Sequence, residues 1–129
     1  MHDIRVLVVE DEPLVAMALE DTLTDAGFTV ISAGDASSAI QKLENEHSHI
    51  QAVVTDIRMP GLLSGWDVAY RARDLEPEMP VIYCSGDKAA DWSECGVPGS
   101  VMLLKPFALE QLAVMVAEMI GAKPAGSSA

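Results

Sequence analysis

The stretch Val6-Leu7-Val8-Val9-Glu10-Asp11-Glu12-Pro13 decides the fold class of this 129-residue chain. Four consecutive apolar residues, rich in β-branching, describe a strand buried on both faces, because a strand with one wet face would alternate apolar and polar side chains. The run stops at three acids, and Pro13 then suits the first turn of a helix, where a missing N–H costs nothing. A doubly buried strand that passes through acids into a helix is the opening of a strand–helix–strand unit. Similar apolar runs recur outward from it, so that strands are predicted at 4–9, 28–33, 50–55, 80–84 and 100–104. Helical spacing fills 14–26, 36–46, 65–75 and 108–120, while 88–94 holds only enough for a short helix. Asp35 is placed to cap the second helix, Ser64-Gly65-Trp66-Asp67 reads as a capping box, and Gly27 and Gly121 stand where helix stops belong. Strands alternating with helices require right-handed crossovers and a mostly parallel sheet covered on both faces. The class is therefore α/β.

Composition narrows the function. The chain suffices for one compact domain with a sizeable core, expected over residues 1–121, followed by a mobile Pro, Gly and Ser tail at 122–129. Half of the residues are hydrophobic and aromatics are scarce, so aliphatics and seven Met fill the core. Eight Lys and Arg against 20 Asp and Glu give a formal charge of −12, which repels phosphate backbones and argues against direct nucleic-acid binding. No apolar run approaches the roughly 20 residues of a membrane span, and a cytoplasmic protein is expected. Cys84 and Cys95 have no metal-site spacing and read as ordinary reduced residues; His2, His47 and His49 read as surface residues.

In open parallel sheets, ligands bind beyond the carboxyl ends of the strands. Here the first strand ends in Glu10-Asp11-Glu12, the third in Asp56, the fourth in Ser85 and the fifth in Lys105-Pro106. Two carboxylates about 4 Å apart repel by roughly 4 kcal/mol at an effective dielectric near 20, so such a cluster needs a cation or a proton. All the candidate ligands are oxygens, which favours Mg²⁺ or Mn²⁺ and disfavours zinc. A carboxylate held beside such an ion can act as a nucleophile toward phosphorus, with an ammonium and the metal neutralising the phosphoryl oxygens. Lys105 and the Ser85 hydroxyl match the supporting roles. Glu12 is better explained by the helix dipole, which favours acids at that position without any ligand.

Four segments, Val8-Val9-Glu10-Asp11-Glu12-Pro13, Thr55-Asp56-Ile57-Arg58-Met59-Pro60-Gly61, Cys84-Ser85-Gly86 and Leu104-Lys105-Pro106-Phe107, stand in order at strand ends. With them the chain, from residue 4 to about 120, resembles the receiver domain of bacterial two-component response regulators, of the CheY-like, single-domain type. The resemblance implies a five-stranded parallel sheet of order 2-1-3-4-5 in a flavodoxin-like three-layer α/β/α sandwich. It implies Asp56 as phosphoacceptor from a histidine kinase or histidine phosphotransfer protein, and a downstream protein target. It implies Mg²⁺ held by Asp11, Asp56 and the Arg58 carbonyl, with Glu10 acting through water. Ser85 and Lys105 would grip the phosphoryl group, Lys105-Pro106 would be cis, and the output face would be the fourth helix, fifth strand and fifth helix. Such a domain catalyses only its own phosphorylation and slow dephosphorylation. One departure concerns the switch, in which Ser85 would work with an aromatic three positions before the lysine: this chain has Met102 there. Gly96, Pro98 and Gly99 also predict a shortened fourth helix.

Rival readings fit less well. A haloacid dehalogenase-type phosphatase wants a second acid two residues after the nucleophile, where Arg58 stands, and a flavodoxin-type phosphate cradle would not tolerate Glu10-Asp11-Glu12. The remaining alternative is a phosphorylation-independent, receiver-like interaction module, against which the retained acids, Ser85 and Lys105 weigh. Arg58 and Asp87 each follow a site residue by two positions and are expected to flank its mouth, where the pair, or the bulk of Arg58 alone, either screens the phosphoaspartate from water and tunes its lifetime or forms an exposed pair of little energetic consequence. Trp66 and Trp92 both read as packing or part-surface residues, and Trp92, in the irregular segment, also as a candidate contact residue. The last helix is apolar on more than one stripe, which predicts cover by a partner or by a second copy in a homodimer.

Overall fold

The computed structural model describes residues 4–86 and 91–121. Asp87, the tail at 122–129, His2 and the first residues of the expected short fourth helix lie outside the described residues. The order of elements is β1 (Arg5–Val9), α1 (Pro13–Asp25), β2 (Thr29–Ala33), α2 (Ala36–Glu46), a 3-10 turn (His47–His49), β3 (Ala52–Asp56), α3 (Gly65–Leu75), β4 (Val81–Ser85), α4 (Trp92–Cys95), β5 (Val101–Leu104) and α5 (Leu109–Gly121). All strand pairs are parallel and their order is β2-β1-β3-β4-β5. The α/β class and the 2-1-3-4-5 order are both as expected.

Local chemistry explains most element ends. Pro13 opens α1, and Gly27, with φ +101°, closes it. The Asp35 side chain accepts the Ser38 N–H at 2.8 Å to start α2. Ser64 and Asp67 form the reciprocal capping box of α3, with Ser64 Oγ accepting the Trp66 N–H and Asp67 Oδ2 accepting the Ser64 N–H. β3 starts at Ala52, two residues later than its apolar run suggested, because Ile50 closes the 3-10 turn that precedes it. β4 runs one residue further than expected, to Ser85, and excludes Pro80, which has no N–H to give the ladder. α4 is a single turn, as the surrounding Gly and Pro residues predicted.

Alternation along the doubly covered sheet divides the core in two. Leu7, Val9, Val53, Val81 and Tyr83 face α2 and α3, where Leu43, Val68, Ala69 and Ala72 meet them. Val6, Val8, Val54, Ile82, Cys84 and Leu103 face α1 and α5, against Leu19, Leu23, Leu112 and Val116. This second layer absorbs most of the apolar surface of α5, since Leu109, Ala113, Met115, Met119 and Ile120 pack against it. Among the described residues of α5, Val114 is the large apolar side chain left exposed, so the surplus for a partner or second copy is narrower than the sequence suggested. Trp66 packs against the first core, its ring centroid 4.8 Å from that of Tyr83.

Candidate functional site

Parallel register builds the site. Val9 pairs with Thr55, so the residues that follow, Glu10 and Asp56, leave the carboxyl edge side by side, and Asp11 follows Glu10. One carboxylate oxygen from each of Glu10, Asp11 and Asp56 can be chosen such that all three lie within 4.8 Å of one another. Lys105, just past β5, sends its ammonium into this group: Nζ is 2.8 Å from Asp56 Oδ1 and 3.6 Å from Glu10 Oε1. The Lys105–Pro106 peptide is cis, as the resemblance implied. Ser85 ends β4 one residue beyond the Asp56–Cys84 pair, and its carbonyl accepts the Lys105 N–H at 2.8 Å. Ser85 is buried, whereas Arg58, two residues beyond Asp56, is exposed. Met102 sits deeper, opposite Tyr83 in the β4–β5 register.

The electrostatics follow from burial. Glu10 is 5% exposed, and burial pushes its carboxyl up to about 7; the Glu12 N–H that it accepts at 3.1 Å opposes this, the Asp56 charge adds to it, and the Lys105 charge opposes it. Burial by itself would lower the Lys105 ammonium, but the hydrogen bond and charge of Asp56, with the charge of Glu10, outweigh that and raise it. Lys105 therefore stays cationic at neutral pH. Among the described residues three carboxylates face one ammonium, so in ionised form this group has a net negative charge in a partly desolvated place. An oxygen-only donor set with excess negative charge fits a hard divalent cation. Cys84, just below, is pushed up to about 12 by burial and then by the Asp56 charge, so it remains an unreactive thiol.

Two supporting features escaped the motif reading. Thr55 Oγ1 donates to the Asp56 carbonyl at 2.8 Å, and the Gly65 N–H donates to the Ile57 carbonyl at 2.9 Å. A Cβ on Gly65 would lie 2.0 Å from the Asp56 carbonyl oxygen and 2.8 Å from Ile57 Cα. The absence of a side chain at residue 65 therefore lets α3 seat directly on the backbone that carries Asp56. A glycine inside a capping box hints at close approach, but which backbone approaches is not encoded locally.

The response regulator receiver domain family model matches residues 6–117. The fold superposes with TM-score 0.90 on a response regulator receiver protein from Sinorhizobium medicae, 40% identical, covering 93% of this chain and 96% of that one. It superposes with TM-score 0.79 on the receiver domain of the sensor histidine kinase PA1611 from Pseudomonas aeruginosa, 25% identical, covering 92% and 98%, a structure with a magnesium ion coordinated in its active site cleft. The probable transcriptional regulatory protein TcrX of Mycobacterium tuberculosis is 30% identical over 119 residues, or 91% of this chain. The chain spans about half the length of that relative. Strand order, the acidic cluster with its lysine, and the match over most of the sequence agree: the chain belongs to the response regulator receiver domain family.

Proposed function

We propose that Asp56 is the phosphoacceptor of a two-component signalling step, taking a phosphoryl group from a phosphohistidine on a histidine kinase or histidine phosphotransfer protein. A carboxylate oxygen of Asp56 attacks phosphorus; the new P–O bond forms as the P–N bond to the donor imidazole breaks, and the imidazole keeps that electron pair and takes up a proton. The single observation that carries this reading is the convergence of the Glu10, Asp11 and Asp56 carboxylates with the Lys105 ammonium at one sheet edge. Lys105 orients Asp56 and is placed to neutralise a phosphoryl oxygen, and the Ser85 hydroxyl takes a second. Asp11 and Asp56, the Arg58 carbonyl, and Glu10 through water would hold Mg²⁺, which when bound offsets charge on the transferring group. The magnesium ion in the active site cleft of the Pseudomonas neighbour supports magnesium as the ion. Mn²⁺ meets the same donor requirement.

Partner docking is supported by exposed apolar side chains on the two elements that leave the site, Leu14 and Met17 on α1 and Leu62 and Leu63 after β3. Downstream, the phosphorylated domain acts either by binding another protein or by passing the phosphoryl group onward in a relay; self-association through α5 would centre on Val114. No helix among the described residues is long and apolar enough to cross a membrane, and we place the signalling step in the cytoplasm.

The test is incubation with Mg²⁺ and acetyl phosphate followed by intact-mass measurement of wild type and Asp56→Asn. One added phosphoryl group on wild type and none on the variant is expected. Adducts on both would refute the assignment of Asp56, and none on either would favour the phosphorylation-independent interaction module.

A further inference from the structure

The aromatic residue that Met102 lacks is present one strand over. Tyr83 of β4 is the register partner of Met102, and both side chains belong to the same core layer, so the two share one space between sheet and α3. The Tyr83 ring is fully buried, flanked by Trp66, and its hydroxyl oxygen accepts the backbone N–H of Val97 at 3.1 Å. Burial pushes the hydroxyl up to about 12, so it is a neutral phenol at every physiological pH. An aromatic at position 102 would compete for that volume.

Val97 is the hub of the segment at 91–100. Ser100 Oγ donates to the Val97 carbonyl at 2.6 Å and accepts Trp92 Nε1–H at 2.9 Å, and a Cβ on Gly96 would lie 2.3 Å from the Trp92 indole. The segment is also fastened from α3, where Tyr70 Oη donates to the Cys95 carbonyl at 2.8 Å and Arg73 donates to the Pro98 carbonyl at 2.6 Å. Those two holds come from a helix and lie at the surface. The Tyr83 hold is buried and comes from the strand that ends in Ser85, two residues on and on the same face of the sheet. Trp92, at the far end of the network, is 37% exposed.

We propose that Tyr83 is the positioning residue that carries the phosphorylation signal: movement of Ser85 at the end of β4 changes the hold of the Tyr83 hydroxyl on Val97, and thereby the surface presented by Trp92. This rests on the reading of Asp56 as phosphoacceptor with Ser85 as a phosphoryl ligand. It places the receptor surface for a downstream protein on the segment at 91–100, and it makes an aromatic at 102 unnecessary.

The chain has two tyrosines, which allows a direct test on the otherwise native protein. 3-Fluorotyrosine labelling gives two ¹⁹F resonances, and Tyr70→Phe assigns them. On phosphorylation with acetyl phosphate and Mg²⁺, followed in parallel by intact mass, the Tyr83 resonance shifts by more than its linewidth and returns as the adduct decays. Tyr83→Phe keeps the ring and removes the acceptor. It is expected to take up the phosphoryl group as wild type does, and to exchange the Val97 amide proton about tenfold faster even when unphosphorylated. In a Trp66→Phe background it loses most of the phosphorylation-dependent change in Trp92 emission. A Tyr83 resonance that stays still while the mass shows an adduct overturns the proposal, and so does a full Trp92 response in Tyr83→Phe. If wild type takes no adduct, the phosphoacceptor reading fails and this one with it. If Tyr83→Phe does not fold, the fluorine spectrum of the labelled chain decides alone.

Discussion

Replacing Gly65 by Ala tests whether α3 and the Asp56 backbone are in the close contact described above. The added Cβ would start 2.0 Å from the Asp56 carbonyl oxygen, where real contacts stop near 3.0 Å, so a displacement of about 1 Å is forced. Neither side yields easily. The Asp56 carbonyl accepts the Thr55 hydroxyl, Ile57 is 2% exposed, and the Gly65 N–H is tied to the Ile57 carbonyl. Overpacking of this kind costs roughly 1–3 kcal/mol, and because Gly65 opens α3, only part of the roughly 0.5–1 kcal/mol that Ala gains over Gly within a helix offsets it. The net loss should be about 1–2 kcal/mol, or a fall in Tm of roughly 4 °C per kcal/mol for a domain of this size. A 1 Å misplacement of a reacting group can slow a reaction on the order of a hundredfold, so acetyl phosphate labelling should slow far more than stability falls. Thermal unfolding and the initial rate of mass gain measure the two effects, with Gly34→Ala as control, because a Cβ there meets nothing within 4 Å. A Gly65→Ala protein that melts with wild type and labels within about twofold of its rate would refute the close contact.

Three further outcomes are expected. Burial raises the folded-state pKa of Glu10 above its ordinary value, so the folded state holds that proton more tightly; this contribution to stability is present below about pH 4.5 and is lost as pH rises through about 7. In EDTA the urea midpoint should therefore carry a component that declines between pH 5 and 8 and vanishes in Glu10→Gln, while Mg²⁺ should oppose the decline; an identical pH profile for wild type and variant in EDTA would contradict this. Ser64→Ala removes one half of the α3 capping box and should lower stability by about 1 kcal/mol in urea titration, with the Asp67 half retained. Arg58→Ala should change the dephosphorylation rate if this exposed side chain, with Asp87, screens the phosphoaspartate from water; an unchanged half-life would remove that role.

Much of the protein is legible along the chain, where the relevant physics is local. Continuous apolar runs such as residues 6–9 specify strands buried on both faces, because only a doubly covered sheet leaves no polar side. Asp35 and Ser64 mark helix starts, because side-chain oxygens satisfy unpaired N–H groups two or three residues on, and Pro13 marks another, because the N–H it lacks would have no partner in the first turn. The acids and the lysine at strand ends could be assigned to one edge, because parallel strands all finish on the same side. Ile50 and Pro80 misplaced two strand ends by a residue or two, since apolar character continues past the point where ladder pairing begins. The apolar excess on α5 could not be apportioned either, as the width of its contact with α1 and the sheet depends on how three elements pack.

Tertiary structure alone decided the rest. The 2.8 Å contact of Lys105 with Asp56 and the raised carboxyl of Glu10 depend on distances between strands far apart in sequence and on the water they exclude. The seat of Gly65 on the Asp56 backbone, and the Tyr83 hydroxyl on the Val97 amide, depend on register between elements. Local sequence dictates which residues form each strand and helix, because propensity and capping act over a few residues. What those elements touch is set by the packing of the whole domain, and that is where the chemistry of the site arises.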